Sequence, residues 1–443
     1  MSAPARASDT RWWRGLSRYQ WWVLGISSLA WMFDCMGQQF FALGRQPAIT
    51  QLLGASATPG AVAEYSGYAT SVFMIGWASG GVLFGILGDR IGRVKTMTMT
   101  VLFYSLFTGL SALSVGVVDF MVYRLVTGLG VGGMFAAGVA LVAETMPDSA
   151  RPYALGWLQA FSTVGNMTAA VIGMALGGLQ QAGIVGSAWR WMFAVGGLPA
   201  LLCVWITRRL REPEQWRKAM LDRTKLGTRL GSIGELFSDS RWRRHAIVGL
   251  LLAFSGVVGL WGIGFFSYDL LRTVFDRTSL TPGEKTFWIG TTSLLQNFGA
   301  FLGVYAFTRV TQRIGRRRAF AWSFIAALLA TSFTFAFLRR FSDIFWMIPL
   351  MGFTHLALFG GYSIYLPELF PTRLRSTGTS FCYNVGRFVA AAGPLALGLL
   401  SSRVFVHEAE PMRWAGVTMS LVFLVGLATL PFAPETLGRP LPE

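Results

Sequence analysis

The sequence predicts an all-α membrane protein of twelve transmembrane helices arranged as two pseudo-symmetric six-helix bundles. Three observations predict it. The chain of 443 residues is 53% hydrophobic and only 13% charged, with a mean hydropathy of +0.50, whereas soluble domains carry roughly a quarter charged residues. A short, basic, glycine-rich turn, Gly85-Ile86-Leu87-Gly88-Asp89-Arg90-Ile91-Gly92-Arg93-Val94-Lys95, joins two apolar runs, and its pattern returns half a chain later as Thr311-Gln312-Arg313-Ile314-Gly315-Arg316-Arg317-Arg318. A turn repeated at that distance marks a chain built from two copies of one unit. Finally, most of the 38 Lys and Arg fall in the termini and the loops of one side, the bias that marks a cytoplasmic face.

A transmembrane helix needs about 20 apolar residues at about 1.5 Å each. Twelve runs meet that length: 19–43, 65–88, 95–116, 118–143, 152–178, 189–208, 244–270, 286–308, 318–338, 343–366, 375–400 and 413–434. Backbone groups in lipid must pair internally, so each run is expected to be helix. An even number puts both termini in the cytoplasm. The expected organisation is a cytoplasmic tail over 1–18, an N-terminal bundle over 19–208, a basic cytoplasmic linker over 209–243, a C-terminal bundle over 244–434 and a tail over 435–443. The first apolar run is too long for a signal-peptide core, so it reads as the first span. Its outer end, Leu43-Gly44-Arg45-Gln46-Pro47, is expected to stop at the proline.

The net charge of +17 does not point to nucleic acid, because it lies on one side of a membrane-spanning pattern. Gly128, Gly130 and Gly133 spell G-x-G-x-x-G inside an apolar run. A dinucleotide site would need a preceding strand, so these glycines read as helix packing. Cys35, Cys203 and Cys382 sit within apolar runs without metal spacing and read as packing residues. No nucleophile-base set suggests an enzyme, and neither metal nor other cofactor is expected.

The signature turn resembles that of the major facilitator superfamily, G-x-x-x-D-R-x-G-R-[KR], through Gly85, Asp89, Arg90, Gly92 and Arg93, with the last base one place late at Lys95. Arg124, Gly128 and Gly130 resemble the fourth-helix motif of that family, R-x-x-x-G-x-G. Glu144, Pro147 and Arg151 recur as Glu368, Pro371 and Arg375, a second trace of the repeat. In the eleventh run, Gly386, Arg387, Gly393 and Pro394 resemble the G-R-x5-G-P of aromatic-acid:proton symporters and related organic-anion and nicotinate carriers. In the first run, Trp31-Met32-Phe33-Asp34 keeps only the second acid of the D-G-F-D of those symporters.

The resemblance implies a secondary transporter, a functional monomer in the inner (cytoplasmic) membrane. Its two bundles would rock about a central site to carry a small organic anion, coupled to protons. A carrier or exporter of a neutral solute such as a sugar, or a transport-inactive sensor, is the alternative. It also implies that Asp89, Arg90, Arg93, Glu144, Arg151, Glu368 and Arg375 form a cytoplasmic gate that pairs across the two halves. Gln312, where the first copy has Asp89, suggests a weaker latch on that side.

A charge at mid-bilayer costs about 2.5–3.5 kcal/mol on insertion scales, so each one needs a partner or a task. Arg387 is either an anion-binding fork or half of a structural ion pair. Asp34 is either the proton-coupling carboxylate or the permanent partner of Arg387 or Arg124. Arg124 itself reads equally as a structural pair or as part of the proton or anion path. His355 reads as a neutral packing residue, or else as a proton site. Gln38, Gln159, Asn166, Gln296, Asn297, Tyr383 and Asn384 are polar and near mid-depth. They line a cavity or bond between helices.

Overall fold

A computed structural model describes residues 12–226, 230–263, 267–275, 278–280, 282–393, 396, 400–408 and 410–442. The tail residues 1–11 and Pro394 of the G-R-x5-G-P pattern lie outside them. Among the described residues the chain is helical throughout, with no strand.

The first half comprises α1 (Arg18–Leu53), α2 (Pro59–Arg90), α3 (Arg93–Ser111), α4 (Val117–Thr145), α5 (Arg151–Gln181), α6 (Ala188–Val195) and α7 (Leu202–Arg209). The linker carries α8 (Glu214–Leu226) and α9 (Ile233–Ser238). The second half comprises α10 (Ser240–Val257), α11 (Ser267–Phe275), α12 (Pro282–Ile314), α13 (Arg316–Phe337), α14 (Ile344–Glu368), α15 (Arg375–Ala390), α16 (Pro411–Ser420) and α17 (Val422–Thr429). Both signature turns break their helix pair at a glycine of positive φ, Gly92 at 113° and Gly315 at 90°. A side chain there would be strained, so the turn needs glycine at that place.

The expected runs and the helices agree in place and differ in detail. The helix α1 does not stop at Pro47 but runs on to Leu53. The next turn buries Ala48 and Ile49 completely, and that burial offsets the hydrogen bond the proline removes. The run at 189–208 is broken into α6, a 3-10 turn at Leu198–Leu201 and α7, where Gly196, Gly197 and Pro199 interrupt the pattern. The run at 244–270 passes through a π-helical stretch, Val258–Ile263.

Eight stretches among the described residues are long and apolar enough to cross a membrane. The expected runs within α1, α3, α12 and around α15 are not among them. Of these, α1 carries Asp34 and Gln38 and α12 carries Gln296 and Asn297, while α15, which carries Tyr383, Asn384 and Arg387, is 16 residues long over Arg375–Ala390.

Within the first half α2 packs on α4, α3 on α4 and α1 on α5; within the second, α12 packs on α14, α10 on α15 and α13 on α14. A Cβ at Gly80 would lie 2.1 Å from the Leu129 carbonyl oxygen, and one at Gly132 would lie 2.1 Å from that of Trp77. Of the G-x-G-x-x-G glycines, Gly128 meets the Phe73 carbonyl of α2 (a Cβ would lie 2.3 Å away), Gly130 the Tyr104 backbone nitrogen of α3 (2.6 Å) and Gly133 the Phe84 side chain of α2 (2.2 Å), so the run packs α4 against both neighbours. Among the described residues the halves meet chiefly through α2 with α15 and α5 with α12, with further contacts of α4 on α15 and of α4 and α5 on α14.

Candidate functional site

About three turns into α15, Arg387 is fully buried. Its Nη1 donates to Asn384 Oδ1 at 3.2 Å and to the Tyr383 carbonyl oxygen. The guanidinium lies over two rings, 4.1 Å from the centroid of Trp77 and 4.4 Å from that of Tyr383. Its Nε and Nη2 have no hydrogen-bond partner. Leaving buried donors unmade costs about 1–3 kcal/mol each, more for a charged group. A purely structural arginine would be expected to have filled those positions.

An aromatic wall extends from this point. The Tyr383 ring stacks on Phe135 of α4, centroids 3.8 Å apart and planes 16° apart. Phe135 meets Trp31 of α1 at 5.2 Å, and Trp77 of α2 meets Trp261 at 5.3 Å. The indole N–H groups of Trp31 and Trp77 are buried without partners. One turn along α1 from Trp31, Asp34 is fully buried. Its Oδ2 accepts from Gln38 Nε2 at 3.3 Å, and its Oδ1 has no partner. Neither Arg387 nor Arg124 forms an ion pair with Asp34. The arrangement offers a fixed cation with two free donors, two indole donors, one carboxylate and flat ring faces.

The sequence reading singled out Asp34, Gln38, Tyr383 and Arg387 of this group but missed Trp31, Trp77 and Phe135. Aromatic residues are frequent in an apolar span, and only the stacking on Arg387 and Tyr383 distinguishes these. The helical spacing of Trp31 and Asp34 was the one available signal.

Asn166, Asn297 and Asn384 join helices. Asn166 Nδ2 of α5 donates to Asn297 Oδ1 of α12 at 3.0 Å, a bond between the halves. Gln39 Nε2 adds a second to Ser293 Oγ at 3.3 Å. Asn384 Nδ2 donates to the Gly132 carbonyl at 3.3 Å and to Ser380 Oγ at 2.9 Å. A Cβ at Gly81 would fall 2.3 Å from the Asn384 side chain, and one at Gly85 2.6 Å from Ser380 Cβ, so α2 and α15 touch through small residues. Gln296 is buried on α12. Gln159 Nε2 donates to Ser162 Oγ at 3.3 Å, within its own helix.

Two charged candidates lie away from the aromatic wall. Arg124 is boxed by Phe193, Phe41 and Phe120, with centroids 4.8, 5.7 and 5.8 Å from its Cζ, and it donates to the Phe107 carbonyl and Ser111 Oγ. His355 is buried with Nε2 2.7 Å from Thr331 Oγ1 and its ring against Phe423.

The predicted gate residues sit around the signature turns. Arg93 reaches Glu144 with two bonds of 3.1 and 2.8 Å, and Arg375 Nη1 reaches the same carboxylate at 2.8 Å. These three side chains are fully buried. Arg93 also donates to the Thr372 carbonyl of the second half at 2.7 Å. Asp89 pairs with Arg93 at 3.0 Å and accepts from the backbone N–H groups of Ser376 and Thr377 and from Thr377 Oγ1, at 3.1, 2.8 and 2.6 Å. It thereby caps the N-terminus of α15, a helix of the other half. Arg90 donates to the Leu230 carbonyl of the linker at 3.3 Å.

Besides Arg90, two of these residues do not reach across to the other half. Arg151 bonds to Asp148 and to the Ala143 carbonyl beside it, and Glu368 pairs with Arg316 of its own half at 2.9 Å. Glu212 and Glu435 were not anticipated. The first accepts from the backbone N–H groups of Arg93, Val94 and Lys95, the second from those of Arg316 and Arg317. Each carboxylate caps the helix that follows a signature turn.

The description Major Facilitator Superfamily matches residues 27–291, and Sugar (and other) transporter matches residues 208–443. The chain is 28% identical to the cis,cis-muconate transport protein of Acinetobacter baylyi over 76% of this chain and 78% of that protein. It is 25% identical to the niacin transporter NiaP of the same organism over 96% of each. Among solved structures, the proton:xylose symporter XylE of E. coli shares the fold at a TM-score of 0.75 and 16% identity, over 96% of this chain and 98% of that one. With the repeated turn, the buried cross-half contacts and these matches together, the chain belongs to the Major Facilitator Superfamily and is a multi-pass membrane transporter, not an enzyme.

Proposed function

We propose that the protein carries a small organic anion, a carboxylate with a flat unsaturated or aromatic body, across the cytoplasmic membrane by alternating access with proton symport. One observation carries this reading: Arg387 is buried, presents two unpartnered donors and lies against Trp77 and Tyr383. A guanidinium fork matches a carboxylate, and the ring faces match a planar body. Relatives described as muconate and niacin transporters support the same class.

Twelve spans fall into two six-helix bundles, 19–208 and 244–434, that rock about this site as a functional monomer. Both termini and the linker lie in the cytoplasm, where the positive charge collects. The contacts of Asp89, Arg93, Glu144 and Arg375 then close the inner side, and the arrangement described is the outward-facing one. Asn166, Gln296, Asn297 and Asn384 border the path. Arg124 and His355 are more consistent with packing, since each is enclosed within its own half.

Asp34 couples the proton. An arriving carboxylate takes the arginine's free donors and brings a second negative charge into a dry site, which favours a proton on Asp34. Asp34→Asn should therefore keep substrate exchange in proteoliposomes and lose accumulation driven by a pH gradient. Retained gradient-driven accumulation would place the coupling elsewhere.

The test of the anion site compares nicotinate and cis,cis-muconate with neutral nicotinamide as ligands of the purified protein. Arg387→Gln should weaken binding of a carboxylate ligand about 50-fold, the worth of a hydrogen-bonded charge, and leave a neutral analogue unchanged. Arg387→Lys should recover little, because an ammonium cannot reproduce the fork. Native affinity for the anion in Arg387→Gln would make Arg387 structural and favour a neutral solute.

A further inference from the structure

At the signature-turn end of the second half, a groove of about 650 Å³ runs between α10 and α17. Arg243 and Arg244 stand at its mouth, and Ile247, Leu251, Val425 and Ala428 line its length. Both arginines are exposed. Arg244 Nη2 donates to the Phe432 carbonyl at 3.3 Å, which ties α10 to the end of the last helix. A smaller cavity of about 450 Å³ adjoins, and Arg241 and His245 join Arg244 on its walls. Neither cavity has a carboxylate among its lining residues.

The groove has the dimensions of one leaflet. From Arg243 to Leu251 the helix rises about 12 Å, against about 15 Å for half of a hydrocarbon core. Its mouth is cationic and its floor is apolar, in the order in which a phospholipid presents headgroup and chain. Its flanking side chains, Ile247 and Leu251 among them, are partly open to the surroundings, so a chain can enter sideways from the bilayer.

We propose that this groove binds one anionic phospholipid of the cytoplasmic leaflet, its phosphate on Arg243 and Arg244 and one acyl chain along Ile247, Leu251 and Val425. Basic pockets between helices on the cytoplasmic side favour such headgroups. The leaflet assignment rests on the topology proposed above; the binding site does not.

The experiment is native mass spectrometry of the full chain in detergent, titrated with phosphatidylglycerol or phosphatidylcholine. The wild type should retain one tight phosphatidylglycerol and no comparable phosphatidylcholine. Arg243→Gln/Arg244→Gln should weaken that adduct about 30-fold, two charges at the worth of a surface arginine near anionic lipid. Arg208→Gln/Arg209→Gln, which removes equal charge elsewhere on the same side, should not. Ala428→Trp should displace the lipid with both arginines intact, because it fills the chain slot. Inorganic phosphate at millimolar concentration should not compete.

Undiminished phosphatidylglycerol in Arg243→Gln/Arg244→Gln, or displacement by inorganic phosphate, overturns the proposal. Circular dichroism of each variant separates loss of the lipid from loss of the fold. Binding in micelles is blind to sidedness, so a reversed topology leaves this result intact. It would show instead as labelling, from outside the cell, of a cysteine placed at the exposed Leu221.

Discussion

In the first signature turn, Asp89 lies against Arg93 and accepts three hydrogen bonds from the start of α15, in the other half of the chain. In the second, the corresponding Gln312 has a buried side-chain nitrogen without a partner. The surrounding frame is the same in both copies. Arg93 meets Glu144 as Arg316 meets Glu368, Gly92 and Gly315 both take positive φ, and Glu212 and Glu435 both cap the following helix. The cross-half contacts are not the same. Arg375 crosses to Glu144, whereas its counterpart Arg151 stays with Asp148. Both copies thus keep the contacts that hold each turn, while the cross-half contacts of these turn residues lie at the first copy. The gate proposed above needs contacts strong enough to close and few enough to open, and a one-sided set meets both demands.

The largest difference is expected at the paired glutamates. Glu144→Gln leaves Arg93 and Arg375 fully buried without their shared carboxylate. Breaking a buried pair from one side costs about 3–5 kcal/mol. Glu368→Gln strands only Arg316, beside a carboxylate that is itself 9% exposed, so it should cost about half as much. Thermal unfolding of both variants in the same detergent reads the ratio. Equal losses would mean that the Arg375 contact adds nothing.

A smaller effect is expected on rates. Asp89→Asn keeps the shape and loses the charge that caps α15, so the closed inner side should form less readily. Turnover should fall about tenfold, equivalent to about 1.4 kcal/mol, with ligand affinity within about twofold, because Asp89 lies at a helix end away from Arg387. Gln312→Asp supplies a carboxylate to the second copy and should slow opening about two- to threefold by strengthening the weaker side. Transport and binding measured on one preparation separate the two. Lost affinity with normal turnover in Asp89→Asn would remove Asp89 from the gate.

Much of this architecture was legible from the chain. The repeated turn, the glycines of α2 and α4 and the charge of Arg387 each broke an otherwise apolar pattern, so each stood out. What stayed hidden depends on side chains far apart in sequence. Trp31, Trp77 and Phe135 look like ordinary membrane aromatics until Tyr383 and Arg387 are seen against them. The extension of α1 beyond Pro47 was hidden because it depends on the burial of Ala48 and Ile49. Glu212 and Glu435 occupy equivalent places in the two copies, so the repeat itself was the signal for them. They went unnoticed because a lone glutamate beside a proline in a polar loop has no pattern of its own. That Arg375 crosses the interface and Arg151 does not is a matter of geometry alone.

The smallest effect concerns those two caps. Glu212 takes three backbone N–H groups of α3, at 2.7, 3.1 and 3.1 Å. Glu435 takes two from α13, at 2.9 and 3.2 Å, and two more from its own segment, at 3.0 and 3.0 Å. A carboxylate at a helix N-terminus contributes about 0.5–2 kcal/mol, and less where water screens it. Glu212→Gln should therefore cost about 1 kcal/mol and Glu435→Gln somewhat less, because fewer helix donors depend on it. Glu435 adds a pH dependence. Burial would raise its pKa, but the N–H groups of Arg316, Leu437, Arg317 and Thr436 outweigh burial and hold the carboxyl below the usual range. A group depressed on folding stabilises the protein above its unfolded pKa, about 4.3 for glutamate, and stops doing so as pH falls through the lower folded value. The stability gap between wild type and Glu435→Gln should thus be constant from pH 7 down to about 5 and close at more acid pH. Unfolding midpoints taken across that range test it. A gap that persists below the folded pKa would show that Glu435 acts through packing, and the charge that holds the second turn would then be that of the Arg316–Glu368 pair.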